Sequence, residues 1–261
     1  MDYTSSDNTD DQEIHAEALR EFNADYSAVC EEREQCLEDR RFYSIAGAQW
    51  EGNLSDQFEN KPRMEFNKVH LAVIRIINEY RNNRITVDFK SKNGAENDKL
   101  ADACDGLYRA TEHDSNAQEA YDNAFEEAVG GGFGAWRLRA AYEDDYDDEN
   151  DYQRIEIEPI YDADTCVYFD RSAKKQDKSD ARHCFVLIPI SKKEYQETYD
   201  DDPSSWPKPE SKQEFDWVTD DSVYIAEYYC IKESAETVLT FENIDGSIVK
   251  YNQKELDADE S

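Results

Sequence analysis

The sequence predicts an α+β fold, with long N-terminal helices followed by antiparallel β hairpins and sheet. Three observations carry this expectation. Apolar residues recur at steps of three and four from Ile14 to Ala128. From Trp136 onward the period changes to two. The run Gly130-Gly131-Gly132 sits at the change, and glycine is the residue that most easily adopts the left-handed conformation closing a helix.

Each element follows in order. Ile14, Ala18, Phe22, Tyr26, Val29, Arg33, Cys36 and Leu37 mark a long first helix that ends near Gly47. A loop rich in Asn, Gly and Ser carries Trp50 and Phe58 and closes at Pro62. From Asn67 a second helix places Val69, Val73, Ile76, Ile77 and Tyr80 on one side. Its C-terminal end carries Arg81 and Arg84, where cations oppose the helix dipole favourably. Ile85, Val87 and Phe89 then alternate with Thr86, Asp88 and Lys90, which predicts a short half-buried strand. After an Asn93-Gly94 turn, Leu100, Ala103, Cys104, Leu107 and Tyr108 mark a third helix; Ala117, Tyr121, Ala124, Phe125 and Ala128 mark a fourth.

In the second half, Trp136, Leu138, Ala140 and Tyr142 alternate with Arg137 and Arg139, and Ile155 and Ile157 with Arg154, Glu156 and Glu158. The acidic stretch between them implies a hairpin. Cys166 to Phe169 and Cys184 to Ile188 read as further strands. Ser191 with Glu194 resembles a capping box that opens a short helix bearing Tyr195 and Tyr199. A loop with Pro203, Trp206, Pro207 and Pro209 leads to strands at 223–230, 237–241 and 248–251, the last two joined by an Asp245-Gly246 turn. Beyond Asn252 a new helix begins. The organisation expected is a flexible terminus at 1–12, a mainly helical part at 13–132, a β-rich part at 133–251 and a C-terminal remnant at 252–261.

Composition excludes several function classes. Of the 261 residues, 29 are Lys or Arg and 62 are Asp or Glu, leaving a formal charge of −33 and a pI near 4.3. A sequence-independent nucleic-acid binder neutralises phosphates with cations, and an anionic membrane surface attracts the same residues. Neither fits this balance. The 12% aromatic content argues for a packed core, because acidic disordered segments are poor in aromatics. No apolar run approaches the roughly 20 residues that a membrane-spanning helix needs. The N-terminus has neither a basic nor an apolar leader region, so synthesis and retention in a cytoplasm are expected. The six cysteines show no CxxC pair and read as free thiols.

No residue set carries a specific catalytic signal. Gly130-Gly131-Gly132-Phe133-Gly134 resembles a phosphate loop only in composition. It closes a helix and opens a strand and lacks Gly-Lys-Ser/Thr, so capping and turning explain it. The acidic run Glu143 to Asp151 lacks the central glycine and terminal glutamate of a calcium loop and reads as a solvated hairpin tip. His183-Cys184 invites a thiol or zinc reading. However, His15, His70 and His113 lie on helices without metal-ligand spacing to a cysteine, and Cys184 falls in a buried strand row. The expectation is therefore no catalytic, cofactor or metal residue and no enzyme.

The ordered segments resemble the N-terminal part of the portal proteins of short-tailed, podovirus-type bacteriophages. The strongest match is Asp177-Lys178-Ser179-Asp180-Ala181-Arg182-His183-Cys184 ahead of an apolar strand. Next is Gly134-Ala135-Trp136-Arg137-Leu138 with Tyr142-Glu143-Asp144 after it. Gln49-Trp50, Asn93-Gly94-Ala95, Leu107-Tyr108-Arg109, Glu158-Pro159-Ile160, Trp217-Val218-Thr219 and Ile225-Ala226-Glu227-Tyr228-Tyr229 support it, so the match runs from about Ala18 to Tyr251.

The resemblance implies the wing of a structural, non-catalytic subunit in a dodecameric ring at one capsid vertex. Such a ring conducts DNA in packaging and ejection without specific binding, docks the terminase motor, assembles with capsid and scaffold protein and receives tail factors. It implies a virion protein made in the host bacterial cytoplasm. Family members continue into stem, clip, crown and barrel, so the stop at Ser261 implies a truncated product, the first part of a split gene or an engineered fragment. Two other readings stay open from the residues alone. One is an acidic DNA mimic or other protein-binding module acting through its field; the other is a carboxylate-metal hydrolase.

Overall fold

The computed structural model describes residues 7–91, 98–143, 152–203, 206, 208–211, 213–233, 238–242 and 248–252. The turns at Asn93-Gly94 and Asp245-Gly246, the acidic run from Asp144 to Asp151, Pro207 and the segment after Asn252 lie outside those residues. The chain divides into two units, Met1–Tyr228 and Tyr229–Ser261.

The helices come first. Helix α1 spans Asp7–Ser44, followed by a single 3-10 turn at Ala48–Trp50 and the short α2 at Asn53–Gln57. Helix α3 spans Lys68–Asn82, α4 Asp98–Asp114 and α5 Ala117–Gly131. Asn67 caps α3, its side-chain oxygen accepting from the His70 amide at 2.8 Å. Gly132 closes α5 at φ 91°, a conformation that a Cβ would strain. The other glycines of that run serve a different purpose. A Cβ on Gly130 would strike the Tyr43 hydroxyl of α1, and one on Gly134 the Ala124 carbonyl. Their absent side chains let α1 and the chain leaving α5 approach α5 closely.

Strands β1 (Trp136–Tyr142) and β2 (Gln153–Pro159) form the expected hairpin, in a register that sets Trp136 opposite Pro159 and Tyr142 opposite Gln153. A one-turn helix, α6 (Ala163–Cys166), which the sequence pattern did not suggest, leads into β3 (Val167–Phe169). Strand β4 (His183–Ser191) pairs antiparallel with β3 and lies between it and β5 (Ser222–Cys230). Helix α7 (Lys192–Tyr199) leaves β4 through the Ser191 cap, whose hydroxyl accepts from the Glu194 amide at 3.2 Å. In the second unit, β6 (Val238–Glu242) and β7 (Ile248–Asn252) form an antiparallel hairpin.

The core is aromatic and centres on Phe22, which is 1% exposed. Its ring meets Tyr168 at 5.4 Å, Phe185 at 5.3 Å, Phe215 at 5.5 Å and Trp217 at 4.8 Å, mostly edge to face. Such geometry sets the positive ring edge on the negative face of its neighbour. A second cluster joins Ile160, Ala163, Val167 and Val186, and a third packs Ile157 on Ala117 and Ala120.

One expectation needs correction. Residues 84–90 form no strand, and Ile85 is 84% exposed. Alternation tells which side chains share a row; it does not supply the neighbouring backbone that a ladder requires. The apolar row of β1 faces outward, with Trp136, Leu138 and Tyr142 exposed.

Candidate functional site

The motif that stood out in the sequence, Asp177 to Cys184, forms the end of the connection between β3 and β4. Carboxylates hold this loop against its own backbone. Asp180 accepts from the amides of Lys174 (2.8 Å) and Lys175, and Asp177 from that of Ser179 at 3.2 Å. Lys178 sits at φ 54°, the left-handed position around which the loop turns. At the loop's base Asp170 accepts from the Ser172 amide at 2.7 Å and the Arg182 amide at 3.3 Å. Burial works to raise the Asp170 carboxyl, but these bonds, with His183 nearby, outweigh it and hold the group below the usual carboxylate range.

The loop is fixed to α1 by a buried acid. Asp25 is 0% exposed, and its Oδ2 lies 2.6 Å from His183 Nε2. The ring nitrogen and the carboxylate oxygen share one hydrogen bond, in which the imidazole donates when Nε2 carries the hydrogen. Asp25 Oδ1 accepts from the Arg171 backbone amide at 3.1 Å and from its guanidinium at 3.2 Å, and the same guanidinium reaches Glu21 at 3.3 Å. Asp25, Asp170 and His183 bring one ligand atom each within 4.8 Å of one another, the spacing a cation would need. The donor chemistry does not fit one. Both Asp25 oxygens are already engaged, Oδ2 by His183 and Oδ1 by the Arg171 amide and guanidinium. The cluster is a latch between α1 and the β3–β4 loop.

Two more arginines of α1 tie the helix to the same layer. Arg33 donates to the Val167 carbonyl at 3.1 Å and lies over the Phe133 ring at 3.7 Å; burial pulls its pKa down. Arg40 forks onto Asp164, at 2.7 and 2.8 Å, and reaches Asp162 at 2.7 Å. Burial lowers its pKa, but the two carboxylates more than offset that and the net shift is upward. Across α6, Glu127 of α5 accepts from the Asp162 and Ala163 amides at 2.7 and 3.0 Å. Burial raises Glu127 in spite of those bonds. On the hairpin, Arg137 links Glu158 at 2.8 Å to Glu227 at 2.6 Å.

His183 and Cys184, adjacent in sequence, turn to different neighbours. His183 goes to Asp25, whereas Cys184 packs against the Ile160 cluster, its thiol pushed up to about 12 by burial. A thiol held that high is protonated at neutral pH and a poor nucleophile. His70 stacks near Tyr43 on α3, and His15 and His113 lie on α1 and α4.

The site is thus a set of long-range polar latches around an apolar layer, carried by the segments whose order was distinctive. A protein-family model for the phage P22-like portal protein matches residues 19–260. The chain belongs to the phage P22-like portal protein family. A portal protein of Acyrthosiphon pisum secondary endosymbiont phage 1 is 38% identical over 254 residues, covering 94% of this chain and 35% of the relative. The chain therefore spans about a third of the length of the curated relative it matches. Within this portal family member the distinctive motif is architectural. Asp177 and Asp180 shape the loop and His183 docks it, roles that sequence spacing alone does not reveal because Asp25 lies 158 residues away.

Proposed function

We propose that the chain is a structural subunit of a portal ring at one capsid vertex, serving in DNA packaging, DNA ejection and the attachment of motor and tail. The observation that carries this reading is the family match along nearly the whole chain, at 38% identity to a phage portal protein. Residues 13–132 and 133–251 form the helical and β-rich parts of its wing. Its partners are further copies of itself, capsid or scaffold protein, terminase and tail factors. DNA passes through the assembled ring without being gripped, in keeping with the −33 charge. The described side chains are used for holding elements together, which suits an assembly part rather than a catalyst.

The test is co-expression of the chain with the remaining portion of a portal sequence, read by native mass spectrometry and electron microscopy. Closed rings that contain the chain are expected. Rings that form without it, or a chain that stays monomeric beside them, would overturn the reading.

A further inference from the structure

The stretch 61–92 differs from the rest of the protein in three respects. The first is charge. It holds eight Lys/Arg and three Asp/Glu, a balance of +5, so the other residues of this −33 chain carry −38. Arg81 and Arg84 are engaged by Glu126 and Asp122 of α5, at 3.3 and 2.9 Å. Lys68, Arg75 and Lys90 form no ion pair among the described residues. The second is apolar exposure. Met64 and Phe66 precede α3 with more than two thirds of their surface open, Leu71 on α3 is 68% exposed, and Val87 is nearly half exposed. Contiguous exposure of this kind marks an interaction site.

The third is an unmade ladder. From Arg84 to Lys90 the backbone has no regular secondary structure, and none of its amides or carbonyls bonds to another backbone group among the described residues. The segment carries Ile85, Val87 and Phe89 in alternation, a composition suited to pleated pairing. An exposed segment of such composition, without backbone partners among the described residues, is a template for another chain.

Resting on the portal-ring reading, we infer that the face carried by residues 61–91, α3 together with the segment at 84–90, is where one copy of this chain receives the acidic surface of a second copy. Charge selects the occupant. Two copies of a −33 chain repel wherever acidic surfaces meet, and Lys68, Arg75 and Lys90, without an ion pair among the described residues, are where a neighbour's acidic surface is attracted instead. The counterpart is the outer side of α1, a helix that carries four Arg and twelve Asp/Glu along its whole length. Glu31 and Glu38 are exposed there beside the open Leu37 and Phe42, so acid and apolar surface are offered together. Joining two different faces makes the contact heterologous, the kind that propagates head to tail and can close into a ring.

Sedimentation velocity on the 261-residue chain tests this, with circular dichroism melting as the control for folding. Leu71→Asp with Val87→Asp breaks the receiving face, and Glu31→Lys with Glu38→Lys breaks the acidic one; all four positions are exposed, so both variants should melt as the parent does. The parent is expected to self-associate more strongly at low salt, and each variant alone to dissociate with a constant raised at least about tenfold. Mixed, the two variants keep one good face each and should form a one-to-one complex that grows no further. A parent that stays monomeric up to about 0.1 mM, or a receiving-face variant that associates as the parent does, overturns the inference. So does a receiving face that retards added duplex DNA while the chain stays monomeric. Rings in the co-expression experiment together with failure here would leave the portal reading standing and remove only this face.

Discussion

The layer around Phe22 and the region around α3 use apolar residues in opposite ways. Around Phe22 the aromatic side chains turn inward, and Asp25, Arg33 and Arg40 each find a partner on the β3–β4 layer. On α3 and residues 84–90, Val73 and Ile77 are buried, but Leu71, Ile76, Ile85 and Val87 are exposed, and 84–90 finds no backbone partner among the described residues. The difference is one of partnership rather than composition. In the first region every strong donor and acceptor of the latch is answered within the chain, so burial is favourable. In the second, the chain supplies the pattern and not its complement.

Substitutions can break or sharpen that contrast. The largest effect is expected from Phe22→Ala, which empties the centre of the aromatic cluster and should cost about 3–5 kcal/mol in a urea titration. Asp25→Ala should follow at about 3 kcal/mol, because it leaves His183 and Arg171 facing a buried gap, whereas Asp25→Asn retains an acceptor and should lose less. Gly134→Ala forces a Cβ against the Ala124 carbonyl and should cost about 1–3 kcal/mol, while Gly106→Ala, with open space around it, should be neutral or stabilising.

Acid should act on the latched region with a definite sign. The Asp170 carboxyl titrates below its unfolded value of roughly 3.9, so its contribution is present in full above that value and disappears as pH falls through the folded one. Asp170→Asn should be less stable than the parent at pH 7, and the gap between their urea midpoints should narrow on going from about pH 4 downward. A gap that stays constant would show that the carboxylate's charge is irrelevant to the loop. The smallest effect belongs to the open region. Ile85→Ser should shift monomer stability by no more than about 0.5 kcal/mol, and a loss of several times that would mean the residue is covered in the free chain.

Elements defined by local pattern were legible in the sequence. The three-and-four spacing through Phe22 and Tyr26 located the buried side of α1. Ser191 located the start of α7, and the alternation on either side of the acidic run located the β1–β2 hairpin. Arg33 was legible only as a member of that helix side; its perch on Phe133 depends on a residue 100 positions further along the chain. The Asp25–His183 bond has no local signature either, since one partner is an ordinary helix acid and the other a strand-end histidine. The glycine run was read for its conformational freedom, which holds at Gly132, whereas Gly130 and Gly134 are set by close approach of α1 and α5. Residues 84–90 failed for a related reason. A strand is a property of two segments, and only one of them was visible.

Amide hydrogen exchange at residues 85–90, compared between the monomer and the self-associated chain, tests the contrast most directly. The account predicts exchange close to the open-chain rate in the monomer, slow exchange in α1 around Phe22 and in β4 throughout, and new protection at 85–90 on association. Strong protection of 85–90 in the monomer, or none gained in the assembly, would contradict it.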